Sequence, residues 1–174
     1  MTTFFVSVRR FIGLVGLMVV AMLKPLTAQA LDKPEESVVL TITGNVTVTN
    51  AGQSAMFDMK MLESLPQSSF VTMTPWYPDA IKFTGPLLRD VLKAAGAQGT
   101  RIKAVALNDF RTVIPVTDAY DHEVIIARLL NDKPMSVRDK GPLFIVYPYD
   151  TKQVLRGETY YNRSAWQLYR LIVE

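Results

Sequence analysis

Apolar and polar residues alternate between residues 40 and 49, where threonines and asparagines separate leucine, isoleucine and valine. A period of two is typical of a strand with one buried face. The interruption at Gly44-Asn45 predicts either one bent strand or two short strands. Other apolar runs predict strands at residues 102–107, 112–116, 124–130, 143–147 and 166–173. For 124–130 a helix is a competing interpretation, because short apolar runs do not separate the two periods.

Helical spacing is clearest at residues 86–95, where the apolar residues form one face, Pro86 suits the first turn and Gly96 suits the C-terminal cap. A shorter apolar helix is expected at residues 57–65, ended by Pro66. The segment 71–78 should begin as a strand and leave its sheet at Pro75. These elements predict an α+β domain that is rich in strands and has one principal helix, at about residues 86–95.

Residues 1–30 have the features of a secretory signal peptide. Arg9-Arg10 precedes an uncharged run of 13 residues, 11–23, which is shorter than the roughly 20 residues that span a bilayer. Ala28-Gln29-Ala30 fits the cleavage pattern of signal peptidase. We therefore expect a periplasmic protein whose mature part, residues 31–174, is a single domain that does not span the membrane. The alternative is an uncleaved N-terminal anchor.

Charge is divided unevenly between the leader and the remainder of the chain. The formal charge of +3 comes from Arg9, Arg10 and Lys24, because residues 31–174 contain 16 basic and 16 acidic residues. A balanced domain lacks the positive surface that nucleic-acid backbones require. Nucleic acid is therefore excluded as the expected partner, which leaves a small-molecule ligand or an envelope protein.

The chain contains no cysteine and a single histidine, His122. The missing thiols exclude disulfides, cysteine-ligated zinc, iron–sulfur clusters and thiol nucleophiles. A lone imidazole excludes a histidine-rich metal site. A serine hydrolase triad would have to use His122.

Six residues are candidates for lining a binding cleft. Trp76 and Tyr77 stand between two prolines, so they either line a cleft or cover the edge of the core. Asn108, Asp109 and Arg111 surround a predicted turn between two strands, where polar residues also occur for structural reasons. Arg138 precedes a buried strand and offers an anion contact, although the sequence favours a plain charged loop there.

A resemblance to a known family extends this interpretation. The resemblance rests on eight short segments and on their order and spacing along the chain. They are residues 57–66, 74–76, 83–92, 106–110, 114–115, 126–127, 135–143 and 166–168. Together they resemble the molybdopterin-binding domain of the sulfite oxidase family, in its short, single-domain, exported bacterial form. The resemblance implies an α+β fold built on β-sheets, with a pterin cleft in the catalytic members.

The resemblance also implies a metal ligand that this chain lacks. In catalytic relatives the pterin dithiolene and one cysteine thiolate hold molybdenum, and the corresponding region here offers Thr72, Met73 and Thr74. A neutral thioether cannot replace a thiolate on a hard, high-valent metal. Relatives also carry a His-Gly pair before the strand at 143–147 and an arginine within it. The positions that correspond here are Asp139-Lys140 and Phe144.

The export signal gives further information about a cofactor. Enzymes that receive molybdenum cofactor in the cytoplasm travel folded through the twin-arginine route. Arg9-Arg10 is present, but Val8 and Phe11 depart from that motif, and the strong apolar run favours general secretion. We therefore expect a non-catalytic module that binds a ligand or a partner and carries no cofactor, with molybdopterin implied by the resemblance alone. The alternatives are a molybdopterin oxidoreductase with atypical metal ligation and an interaction subunit for an envelope sensor or redox partner.

Overall fold

The computed structural model describes Met1 and residues 30–174, so the predicted signal peptide falls almost wholly outside the described residues. The strands of this part are β1 Leu40–Gly44, β2 Ala55–Phe57, β3 Gln67–Thr74, β4 Tyr77–Pro86, β5 Arg101–Ala106, β6 Arg111–Pro115, β7 Ile125–Ala127, β8 Leu129–Leu130, β9 Lys133–Pro134, β10 Phe144–Val146 and β11 Leu168–Val173. The α-helices are α1 Met59–Ser64, α2 Leu88–Ala94, α3 Asp118–Asp121 and α4 Glu158–Arg163. The predicted strand-rich α+β class is confirmed, and α2 is the longest of these helices.

A five-stranded sheet joins the two ends of the described domain in the order β2-β1-β11-β5-β6. β11 pairs in parallel with β1 and antiparallel with β5. β1 ends at Gly44, whose φ of 87° and contact with the Val173 backbone leave no room for a side chain. Two residues later, Val46 forms an isolated antiparallel bridge to Ala97, which follows α2. The alternation at residues 40–49 therefore corresponds to one strand, β1, and a single bridged residue, Val46, and not to a second strand.

The remaining strands form a four-stranded sheet, β3-β4-β8-β9, and a two-stranded sheet, β10-β7. The predicted strand at residues 124–130 is confirmed, but it divides at Arg128 between the two sheets. The sequence pattern did not predict β4, which lies between β3 and β8 and packs beside β7. Gly85 permits this approach, because a Cβ there would overlap the backbone of Ile126.

The principal helix begins later than the periodicity predicts. Pro86 is the last residue of β4, not a residue of the first helical turn, and α2 starts at Leu88 because Leu87 still has an extended backbone. At the other end Gly96 has a φ of 58°, as expected of a C-terminal cap. The helix at residues 57–65 is also confirmed as α1, whose first turn is capped by the Asp58 side chain.

The core lies between the sheets and α2. Its largest fully buried side chains are Tyr147, Tyr149, Phe57, Phe83, Phe144, Leu40, Ile42, Leu62, Leu88, Ile102, Ile114 and Ile125. Aromatic rings are concentrated around β10 and the residues that follow it. Within the described residues, no helix is sufficiently long and apolar to cross a membrane.

Candidate functional site

A pocket opens where β3 ends and the chain turns toward β4. Pro75 ends β3, and the Trp76 N–H donates to the Thr74 hydroxyl across this turn at 3.3 Å. The pocket has a volume of about 300 Å³ and is lined by Met73, Thr74, Pro75, Asp150, Arg156 and Tyr161. It therefore combines one carboxylate, one guanidinium and a phenol ring at the surface.

Asp150 is the electrostatic centre of this pocket. Its Oδ2 accepts a hydrogen bond of 2.8 Å from the Met73 N–H, and its Oδ1 accepts bonds of 3.1 and 2.8 Å from Arg156. The Asp150 N–H donates to the Thr72 hydroxyl at 3.2 Å. The Met73 bond, followed by Arg156, lowers the pKa of Asp150 against the opposing effect of burial. The pocket thus holds a fixed carboxylate whose charge is balanced by one guanidinium.

Aromatic rings fill the space beneath the pocket. Trp76 contacts Phe144 with ring centroids 5.2 Å apart, and it contacts Tyr161 at 6.1 Å and Tyr149 at 6.4 Å. Tyr149 and Tyr161 are themselves 4.9 Å apart. The hydroxyls of Tyr149 and Ser164 share a short hydrogen bond, and burial raises the pKa of Tyr149. These contacts join Tyr161, which lines the pocket, to a cluster of packed aromatic rings next to it.

A second polar cluster lies around Asp118, which is buried. The Tyr147 hydroxyl and the Arg163 guanidinium both donate to its Oδ2 at 2.8 Å. Burial, and then the neighbouring carboxylate, raises the pKa of Tyr147. The His122 ring packs edge-on against Tyr160, with centroids 5.4 Å apart, and its Nδ1 is buried without a hydrogen-bond partner in the described structure. This cluster joins α3 and α4 to the residues after β10.

The structure separates the six residues that the sequence suggested for a cleft. Trp76 lies beneath the pocket, whereas Tyr77 packs on the 137–140 turn with its ring centroid 4.9 Å from the Lys140 ammonium. The Tyr77 hydroxyl also donates to the Asp139 carbonyl at 3.4 Å. Arg138 is an exposed residue of the same turn. Tyr77 and Arg138 therefore belong to one surface and Trp76 to another.

The other three candidates lie on the exposed turn between β5 and β6. Asn108 accepts a hydrogen bond of 3.2 Å from the Phe110 N–H, and Asp109 has a φ of 64°, as in a tight turn. Arg111 is the exposed first residue of β6. Gln167 connects this turn to the 137–140 turn, since its carbonyl accepts from Leu107 and its N–H donates to Lys140.

Sequence reasoning missed Asp150, Arg156 and Tyr161, which supply most of the polar chemistry of the pocket. Asp150 follows a predicted buried strand by only a few residues, and a polar residue at such a position is a recognisable signal. Arg156 and Tyr161 carried no comparable signal. Arg156 is the last residue of a short 3-10 helix and Tyr161 lies within α4, and neither segment has an apolar periodicity.

The profile of the oxidoreductase molybdopterin binding domain matches residues 41–151. This range includes nearly all of β1, the strands β2 to β10 and Asp150, but not α4 or β11. The chain belongs to this family. No curated protein shows a significant match. Because the family is defined by molybdopterin binding, the residues of the pocket can be compared with those that this cofactor would need.

The residues present do not fit a thiolate-ligated molybdenum cofactor. The segment that corresponds to the metal-ligand region supplies only the Thr72 and Thr74 hydroxyls and the Met73 thioether, all neutral. Phe144, at the position where the resemblance implies an arginine in catalytic relatives, is fully buried and packs against Trp76. This arrangement offers neither the anionic sulfur for the metal nor that cation for the cofactor.

Proposed function

We propose that this protein is an exported, non-catalytic binding module of the sulfite-oxidase-like family. It binds a small ligand in the pocket formed by Met73, Asp150, Arg156 and Tyr161. The observation that carries this proposal is the Asp150–Arg156 pair, which stands beside the segment corresponding to the metal-ligand region. A pocket with a fixed acceptor, a fixed donor and a ring face suits ligand recognition.

The geometry favours a ligand that has a hydrogen-bond donor next to an acceptor. Such a molecule satisfies Asp150 and Arg156 at once, and a flat portion can contact the exposed face of Tyr161. Asp150 is held in place by the Met73 N–H, so the pocket needs little reorganisation before binding. A volume of about 300 Å³ limits the ligand to small-molecule size.

Native mass spectrometry of protein purified from the cell envelope tests this proposal. We expect a bound mass that is free of molybdenum and is lost in Arg156→Gln, whereas Arg138→Gln on the distant turn retains it. Circular dichroism checks that both variants fold. An absence of bound mass in the envelope-purified wild type, or equal retention in both variants, would contradict the pocket assignment.

The family match supports a second candidate, a molybdopterin oxidoreductase with atypical ligation. In that case the dithiolene and oxygen ligands alone hold the metal. Elemental analysis and cofactor extraction from the same preparation distinguish the two candidates. Stoichiometric molybdenum together with a pterin would overturn the binding-module proposal.

A further inference from the structure

β3 is a long outer strand of the four-stranded sheet. It has eight residues, Gln67–Thr74, with no charged side chain and no proline. Val71 is 60% exposed and Met73 is 46% exposed. Strands of this kind pair readily with another chain unless something blocks them.

The other outer strands of the two larger sheets are protected. β2 has three residues, and β9 has only two, one of which is Pro134. β6 is longer, but it carries Arg111 and Pro115. Short length, charge and proline are the usual means of preventing edge pairing. β3 has none of them, which distinguishes it among the outer strands of these sheets in the described structure.

The hydrogen bonds of β4 show which groups of β3 point away from the sheet. The carbonyls of Lys82 and Thr84 accept from the β8 side, from Asn131 and Arg128. In an antiparallel ladder the alternate residues of β4 then bond to β3. Their partners in register are Ser68, Phe70 and Thr72. The backbone groups of Gln67, Ser69, Val71 and Met73 consequently face outward.

The outward edge is free only over residues 67–71. At one end Pro66 has no N–H to donate, and at the other Oδ2 of Asp150 accepts the Met73 N–H at 2.8 Å. The backbone groups of Gln67, Ser69 and Val71 have no backbone partner on this side within the described residues. Ser69 is the midpoint of this free segment.

We propose that a second copy of this chain pairs antiparallel with β3 about a two-fold axis at Ser69. Ser69 then faces Ser69 of the second copy, and Gln67 of each copy faces Val71 of the other. Each facing pair exchanges two backbone hydrogen bonds, because all three residues point outward. Asp150 fixes the register, since it prevents the pairing from extending to Met73.

The side chains favour a second copy over a charged partner. A residue on a two-fold axis meets itself, and a charged side chain there would place like charges directly opposite each other. Ser69 is small and uncharged, and no charge occurs elsewhere in β3. Pairing also covers the exposed side chain of Val71. The inference concerns the edge strand and does not depend on the pocket ligand.

A cysteine variant tests the geometry directly, because the native chain has no thiol. Facing hydrogen-bonded residues lie about 5.5 Å apart between Cα atoms, which a disulfide can bridge. We expect Ser69→Cys in the protein produced from the full chain to form a covalent dimer on mild oxidation. Val113→Cys is the matched control, since Val113 is 46% exposed on β6. Equal cross-linking of both variants would overturn the proposal.

Sedimentation and light scattering supply the second measurement. The wild type and Val113→Lys should be dimers, whereas Ser69→Lys should lose the dimer and show half the mass with an unchanged circular dichroism spectrum. A wild type that stays monomeric up to its solubility limit refutes the inference. Persistence of the dimer in Ser69→Lys refutes it as well.

Discussion

The hydroxyl of Tyr147 donates a hydrogen bond of 2.8 Å to Oδ2 of Asp118, and the same oxygen accepts a bond of equal length from Arg163. Asp118 is 5% exposed, so these two donors supply the hydrogen bonds that water would make at the surface. Three segments that are distant in the sequence meet at this one atom. The buried carboxylate is therefore a structural junction of the domain.

Removal of the Asp118 carboxylate should destabilise the fold strongly. Asp118→Ala leaves the Tyr147 hydroxyl and the Arg163 guanidinium without their acceptor, and we expect a loss of about 3 kcal/mol in the free energy of unfolding. Urea denaturation measures this loss. Asp121→Ala in the same helix is the control, because Asp121 is exposed. Similar losses in both variants would mean that the junction contributes nothing specific.

Asp58 should make the stability dependent on acid pH. Its carboxylate accepts hydrogen bonds from the N–H groups of Met61, Glu35 and Glu36, of which the Met61 bond is the largest influence lowering its pKa. Because the pKa of Asp58 is lower in the folded state than in the unfolded state, its ionised carboxylate stabilises the fold above the ordinary pKa of 3.8. This stabilisation is lost as the pH falls through the pKa that Asp58 has in the folded protein.

Urea denaturation of the wild type and Asp58→Asn at two pH values tests this dependence. We expect the wild type to have a larger free energy of unfolding than Asp58→Asn at neutral pH. This difference between the two proteins should shrink below about pH 4. Asp79→Asn, on the exposed part of β4, should show little difference at either pH. A difference for Asp58→Asn that stays constant across this range would contradict the assignment.

Gly85 should tolerate no side chain. A Cβ at this position would overlap the Ile126 carbonyl, so Gly85→Ala must push β4 away from β7. We expect a loss of about 2 kcal/mol or more, as for other overpacked cores. Gly157→Ala is the control, because its nearest neighbour would be 3.3 Å away and its backbone φ is −92°. A thermal melt compares the two, and equal melting temperatures would refute the steric argument.

The elements that the sequence predicted share a strong local pattern. α2 has an apolar face and a C-terminal glycine, and β5 and β11 have β-branched runs. β4 had no such pattern, because it contains two prolines and a glycine, and its burial comes from neighbours that are distant in sequence. Gly85 is needed only because β7 crosses beside it, which no local rule reveals.

The candidate site was less predictable than the fold for the same reason. Trp76 drew attention because it stands between prolines, and it lies beside the pocket. Its neighbour Tyr77 belongs to a different surface, because Trp76 lies in the turn after β3 whereas Tyr77 begins β4 and contacts the 137–140 turn. Asp150 meets Met73 across 77 residues of sequence, and a single sequence contains no signal for such a contact.

Processing of the leader is a prediction about residues outside the described structure. We expect envelope-purified protein to begin at Leu31, as N-terminal sequencing would show. Ala30→Arg should block cleavage, because signal peptidase requires a small residue there. Gln29→Arg, at the tolerant position between the two alanines, should be processed normally. A mature protein that retains Met1 would support the uncleaved anchor instead.

Trp76 should be required for the fold and not only for the pocket. Its ring packs on Phe144, Tyr149 and Tyr161, so Trp76→Ala removes contacts from three rings and leaves a cavity beneath the pocket. We expect a loss of about 3 kcal/mol in the free energy of unfolding. Trp76→Phe keeps most of the apolar contact and should lose less than half as much. A near-neutral Trp76→Ala would contradict this role, because a ring that supports three packed neighbours cannot be removed without cost.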